Sequence, residues 1–478
     1  MRHRLMTHPF LYLLLLPPSL VFIRCHRTKS SIIIRWQRIK MPFYFVVSNK
    51  ICTFAAKSKY MEKELFRTII AENQEYIGRI PLVQRPLDLE EYGNYVFVGV
   101  RQAGKSYLLY QRIQQLLANG VEIENIVYVN FDDERLQEMS ATDFDLILQA
   151  YHSMYDSQPI FFFDEIQNVE GWANFARRLA NQKYRVYITG SNAKMLSRDI
   201  ETVLGGRYLD ISVFPYSFSE YLKAVGVLYS KNWQYGRKAN ELQRHFRTYF
   251  DWGGFPELVH FQEKRIWLNS LYNRIFFNDL VVRHKIKNED ALRLCVRRLA
   301  ESVKQPCSLN RLSNLIKATG TPCSPSTVME YVRYLQESCL LISIDNFVSK
   351  FVEKETIKKH YFVDNGLLHL FINNPNTSLL ENLCAITLYK KYANGLYYYN
   401  RNIEVDFYVP DEGLAVQASY QMSDGETIER EVKALVALHG LHPLKRAMII
   451  TYEDEGEIER DGLRIEIRPA WKWVLEGL

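Results

Sequence analysis

The run Y-V-F-V-G-V-R-Q-A-G-K-S-Y at 95–107 holds the residues of this chain best suited to chemistry. Gly99 and Gly104 bracket Val100, Arg101, Gln102 and Ala103, and Lys105, Ser106 and Tyr107 follow. Glycines at those two places let the backbone curl until its N–H groups point inward at an anion, and a helix starting there adds the positive end of its dipole. A lysine at the next position reaches the β- and γ-phosphates of a nucleotide, and the hydroxyl behind it sits on Mg2+. The pattern is informative only between a strand and a helix. Tyr95, Val96, Phe97 and Val98 supply an apolar strand before it, and 107–117 has helical periodicity after it. These flanks weigh against an ordinary strand–turn–helix.

A second group lies 59 positions on. The segment P-I-F-F-F-D-E-I at 159–166 is a continuous apolar run closed by Asp164 and Glu165. Two acids after a strand usually cap a helix or meet solvent. Beside a phosphate loop, one carboxylate can hold Mg2+ and its neighbour can orient an attacking water. Ser191 and Asn192, after the apolar run at 185–189, are placed to hydrogen-bond a γ-phosphate or that water.

The elements that must position these groups follow from the spacing. Apolar runs at 95–98, 125–131, 159–166, 185–189 and 208–214 alternate with helical patterns at 107–117, 141–155, 171–182 and 218–224. That alternation predicts an α/β fold with a parallel sheet covered on both faces. Ligands in such sheets bind beyond the carboxyl ends of the strands, where both groups fall.

The phosphate loop, Asp164-Glu165, T-G-S-N at 189–192, L-G-G-R at 204–207 and D-W-G-G-F-P-E at 251–257 together resemble AAA-type ATPases of bacteria and archaea that carry a C-terminal region of unknown function. The resemblance spans about 61–478. It implies ATP as the nucleotide, Lys105 on phosphate, Ser106 and Asp164 on magnesium, Glu165 as catalytic carboxylate and Asn192 as sensor. Arg207 is the position nominated to read the γ-phosphate, across a subunit boundary in a homo-oligomer; a plain surface arginine is the equal alternative.

Composition bounds the rest. At 478 residues, with 47% apolar and 24% charged, the chain has material for two or three packed domains. The net charge of +6 is misleading: residues 1–60 hold 11 Lys and Arg and no acid, leaving 49 basic against 54 acidic residues beyond them. Any nucleic-acid surface must therefore be local. Seven dispersed cysteines without C-x-x-C fit reduced thiols in a cytoplasmic protein. The apolar run at 10–23 is too short to span a bilayer and is broken by Pro17-Pro18, so no stable membrane insertion is expected. Residues 1–60 read as a leader outside the folded domains.

Beyond an ATPase core at 61–235, helical spacing at 236–305 predicts a lid. Asp279, Arg283 and His284 cluster there, as a salt-bridged group. At 306–358 the pattern is helix, turn, helix and a two-stranded wing over 340–347 and 351–355, with Ser326 as cap. This winged-helix pattern offers Thr327, Glu330, Arg333 and Tyr334 on its second helix and Lys350, Lys354, Lys358 and Lys359 about the wing, making 308–359 the candidate DNA contact, with protein interaction or packing as the alternative. The order of elements at 359–478 resembles the restriction-endonuclease-like fold. Asp406 matches its first metal position and Glu381 adds a carboxylate, but Gln417-Ala418-Ser419 stands where acid-x-Lys is required, so a nuclease is expected to be inactive. Three functions follow: an ATPase coupled to a C-terminal interaction region, a nucleotide-gated binding module with negligible turnover, and, least favoured, a nuclease using Glu381, Glu404 and Asp406.

Overall fold

The computed structural model describes residues 62–196, 202–230, 232–422 and 425–477, and within 1–61 five short strands. Met1–Met61 and Glu62–Leu478 are separate units. In the first, Tyr12–Leu15, Leu20–Arg24 and Ser31–Arg35 form a three-stranded antiparallel sheet, and Phe43–Val47 pairs with Lys50–Phe54. The reading of 1–60 as a leader falls largely outside the described residues.

In the second unit, α1 (Lys63–Tyr76) precedes a five-stranded sheet. Its strands are β1 (Tyr95–Val98), β2 (Ile126–Asn130), β3 (Ile160–Asp164), β4 (Arg185–Gly190) and β5 (Leu209–Ser212), in the order β5-β1-β4-β3-β2 and all parallel. Helices α2 (Lys105–Ala118), α3 (Phe144–His152) and α4 (Trp172–Asn181) connect them. The expected alternation is met because strands buried on both faces need unbroken apolar runs; β3 is buried throughout. One rung across the sheet is aromatic. Tyr128, Phe162, Tyr187 and Tyr95 share register, with Phe162 stacked on Tyr187 at 4.7 Å and Tyr187 on Tyr95 at 6.0 Å.

Ser217 caps α5 (Phe218–Ala224) with Glu220 closing the capping box. The expected helical segment follows as α6 (Gly236–Trp252), α7 (Lys264–Arg274), a π-helical stretch at Ile275–Val282 and α8 (Glu289–Glu301).

The remainder is β6 (Cys307–Ser308), α9 (Leu309–Lys317), α10 (Pro325–Glu337), β7 (Leu341–Asn346), α11 (Phe351–Thr356) and β8 (Ile357–Phe362). Then come α12 (Asn365–His369), α13 (Asn376–Tyr392), β9 (Tyr397–Asn400), β10 (Glu404–Val409) and β11 (Leu414–Ala418). The chain continues through α14 (Gly425–Leu441), β12 (Arg446–Thr451), β13 (Gly456–Arg460), β14 (Leu463–Pro469) and α15 (Ala470–Glu476). All nine strands form one sheet, ordered β6-β8-β7-β9-β10-β11-β12-β14-β13, and β8 runs across position 358/359.

Two local expectations differ. Residues 351–355 are helical because the Glu353 carboxylate accepts the Lys350 N–H, an N-terminal cap, so β7 pairs with β8 instead. The cap of α10 is Ser324, whose hydroxyl accepts the Thr327 N–H, and Ser326 lies inside the helix.

Candidate nucleotide site

The carboxyl ends of β1, β3 and β4 bring the predicted groups together. Lys105 opens α2 and is buried; its Nζ donates to Gly99 O at 3.1 Å and Val100 O at 3.2 Å and lies 3.4 Å from Glu165 Oε1. The Ser106 side chain lies beside Asp164 and favours its charged form. Asp164 accepts from Tyr128 Oη at 2.7 Å and from the Thr189 hydroxyl. Burial pushes the Asp164 carboxyl up, and the adjacent Glu165 charge adds to it, against those three groups.

Glu165 has the opposite balance. Burial would raise it, but Lys105, Gln167 and Arg101 hold it below the usual carboxylate range. Gln167 Nε2 lies 2.5 Å and the Ser191 N–H 3.2 Å from its Oε2, and its own N–H donates to Thr189 Oγ1. Its backbone is left-handed, φ 52°, which turns the side chain back toward the lysine. The two neighbouring carboxyls are thus displaced in opposite directions by their surroundings.

The other predicted positions divide. Val100 and Ala103 are buried, Tyr107 is half exposed, and Asn192 follows Ser191 at the carboxyl end of β4. Arg101 leaves the loop for the π-helical stretch, its Nε 3.0 Å from Asp279 Oδ2, and Arg283 reaches the same buried carboxylate at 2.9 Å. Arg207 is not at the site in its own chain. Leu209 pairs with Tyr95, so the residues preceding β5 lie by the amino ends of the strands, and the Arg207 guanidinium donates to Leu204 O and Gly205 O of its own turn.

Sequence reasoning missed Tyr128, Thr189 and Gln167, which orient the two acids, and Arg85, which is hydrogen-bonded to the loop. Tyr128 and Thr189 carried a readable signal, polar side chains within two positions of the carboxyl end of a buried strand. Asp279 was noted only for its lid partners.

Ser106 and Asp164 are the oxygen-bearing residues that would hold a Mg2+ ion, which would supply charge to offset that of a bound phosphate.

At the C-terminal region, Lys359 fills the space between the candidate nuclease acids. Its Nζ is fully buried, 2.9 Å from Asp406 Oδ1, 3.2 Å from Glu381 Oε1 and 3.4 Å from Glu404 Oε1. Gln417 is spent on backbone, accepting from Asp406 N–H and donating to Glu404 O. Glu381, Glu404, Asp406 and Gln417 border a cavity of about 740 Å³. On α10, Tyr334 packs on His284 of the lid at 3.8 Å rather than facing outward. Among the described residues no helix is long and apolar enough to cross a membrane.

An AAA domain matches residues 92–222, and a domain of unknown function, DUF8612, matches 243–378. An uncharacterized protein of Haemophilus influenzae is 29% identical over 391 residues, 80% of this chain and 94% of that protein. Among solved structures, the Walker-type ATPase PABY2304 of Pyrococcus abyssi aligns with TM-score 0.37 and 12% identity over 66% of this chain and 97% of its own. The uncharacterized protein MJ1544 of Methanocaldococcus jannaschii is 30% identical over 434 residues, 87% of this chain and 96% of its own length. The chain belongs to the family of MJ1544, with an AAA domain, the nucleotide-binding domain of ATPases, leading into the domain of unknown function.

Proposed function

We propose that this protein hydrolyses ATP with Mg2+ and couples its nucleotide state to the C-terminal region. The carrying observation is the convergence of Lys105, Ser106, Asp164 and Glu165 at one end of the parallel sheet. The loop N–H groups and Lys105 bind the β- and γ-phosphates. Ser106 and Asp164 hold Mg2+, which offsets phosphate charge. Glu165 orients the water and accepts its proton, and its depressed pKa keeps it ionised for that task. Asn192 contacts the γ-phosphate as sensor. Arg207 acts, if at all, from a second copy, since it faces away from its own site.

The C-terminal region is the output, as a DNA- or protein-interaction surface in the cytoplasm. A nuclease is disfavoured, because Gln417 carries an amide where a second carboxylate is required, and that amide is held by Asp406 N–H and Glu404 O. A nucleotide-gated module of negligible turnover draws support from Glu165, whose carboxylate is tied to Lys105, Gln167 and Ser191.

Steady-state phosphate release separates these readings. The ATPase reading expects turnover in the wild type, loss of nucleotide binding in Lys105→Ala, and binding without turnover in Glu165→Gln. Unchanged turnover in Glu165→Gln would overturn its role. Nucleotide binding without any wild-type phosphate release would favour the gated module.

A further inference from the structure

Two neighbours flank the phosphate loop, an arginine hydrogen-bonded to it and a turn tied to the C-terminal region. Arg85 is the first. Its Nη1 donates to Ala103 O at 3.1 Å, its Nη2 to Phe214 O at 3.0 Å, and its Nε to Glu220 Oε1 at 2.8 Å. Its backbone is clamped to α2 in both directions by the Gln111 amide. Fixing the Ala103 carbonyl outward leaves the loop N–H groups facing the anion.

The second is the G-G-F-P turn at 253–256. A Cβ added at Gly104 would sit 3.5 Å from Pro256 Cγ and 3.6 Å from Arg85 Nη1, so proline and arginine flank the same glycine of the loop. The turn is set by Asp364. Its buried carboxylate accepts Gly254 N–H at 2.7 Å and Gly366 N–H at 2.8 Å. The approach is so close that a Cβ on Gly253 would overlap that carboxylate and one on Gly254 would overlap Tyr216 O. Neighbouring Asn365 ties Phe250 O of α6 to Leu379 O of α13.

The two neighbours converge on Lys390 of α13. Its Nζ donates to Pro215 O at 3.3 Å and lies over the Phe214 ring, and Glu220, Arg85 and Asp364 are the charges that face it. Asp364 and Lys390 line one small cavity of about 10 Å³ together with Pro215, Tyr216 and Gly253.

We propose that Arg85 and Asp364 are positioning residues for the phosphate loop, through which the C-terminal region sets its affinity for nucleotide. Neither touches the nucleotide; both hold the loop in the shape that binds it. The proposal rests on the nucleotide reading above.

The test is titration of the full chain with a fluorescent ATP analogue, alongside thermal unfolding of each variant. Pro256→Ala, Asp364→Asn and Arg85→Lys are each expected to weaken binding about tenfold, the worth of one lost supporting contact. The Arg85→Lys/Asp364→Asn double variant is expected to bind about as weakly as the weaker single, since a loosened loop has little left to lose from the second change. Pro256→Ala leaves every buried charge in place and decides the matter if Asp364→Asn does not fold. Unchanged affinity in Pro256→Ala, or an additive double variant, would overturn the proposal while Lys105→Ala still abolishes binding. Full binding by Lys105→Ala would instead remove the nucleotide reading, and this proposal with it.

Discussion

Replacing Lys359 with methionine tests how the C-terminal site is held. The ammonium is fully buried, a condition that favours the neutral amine, yet three carboxylates outweigh that effect and hold its pKa above the ordinary lysine value. The partners are unequal. Glu404 is 50% exposed, so its pairing contributes no more than a surface ion pair, under about 1 kcal/mol. Asp406 and Glu381 are the substantial partners, and removing one member of a buried ion cluster costs about 3–5 kcal/mol. The loss has a pH signature. Burial first, and Asp406 second, already raise Glu381 to about 7 from its ordinary 4.5. A carboxyl raised on folding binds more protons in the native state, so it lowers stability as pH climbs from the unfolded to the folded pKa. Without the lysine the folded pKa rises further and that decline continues above pH 7, at about 1.4 kcal/mol per unit. Lys359→Met is therefore expected to be less destabilised at pH 5.5 than at pH 8, and Glu381→Gln in the same chain should recover part of the loss. Urea unfolding at the two pH values measures it. A loss under about 1 kcal/mol at pH 8, or one independent of pH, would refute the reasoning.

Three further expectations follow from the site and its surroundings. Glu165→Gln should lower kcat about 10²–10⁴-fold while nucleotide still binds, read by phosphate release beside a binding titration. Asp279→Ala leaves Arg101 and Arg283 without their shared carboxylate; with both arginines a quarter exposed, it should destabilise the unliganded chain by about 2–4 kcal/mol, and added ATP should raise its melting temperature more than that of the wild type. Burial, with Lys358 adding, lowers His360 to about 4 from 6.5. The unfolded chain then binds the extra proton, so stability falls by about 3 kcal/mol as pH drops from 6.5 to 4, and His360→Gln should remove that share of the slope in denaturant titrations.

The nucleotide half was legible because its signals are local. A glycine-bracketed loop between an apolar strand and a periodic helix can be read within 25 residues, and buried parallel strands announce themselves as apolar runs. What orients the acids was harder to read. Tyr128 and Thr189 reach Asp164 from two other strands, and no spacing along the chain records such a meeting. Where Arg207 stands in its own chain was unreadable for the same reason, since its place depends on the direction of β5 relative to β1. At 351–355 the run F-V-E-K-E lacks the period-two alternation a wing strand needs, and the Glu353 cap starts a helix there. Lys359 was counted as part of a basic wing, whereas β8 turns it inward to carboxylates up to 47 residues away.

The unbroken nine-stranded sheet has a practical consequence for dissecting this protein. A truncation at 358/359 would sever β8 after its second residue, separating Lys359 from Lys358. The amino-terminal fragment would keep β7 with its partners stripped away on both sides, a naked hydrophobic margin inviting self-association. Insolubility of such a fragment would report the torn sheet and say nothing of the ATPase.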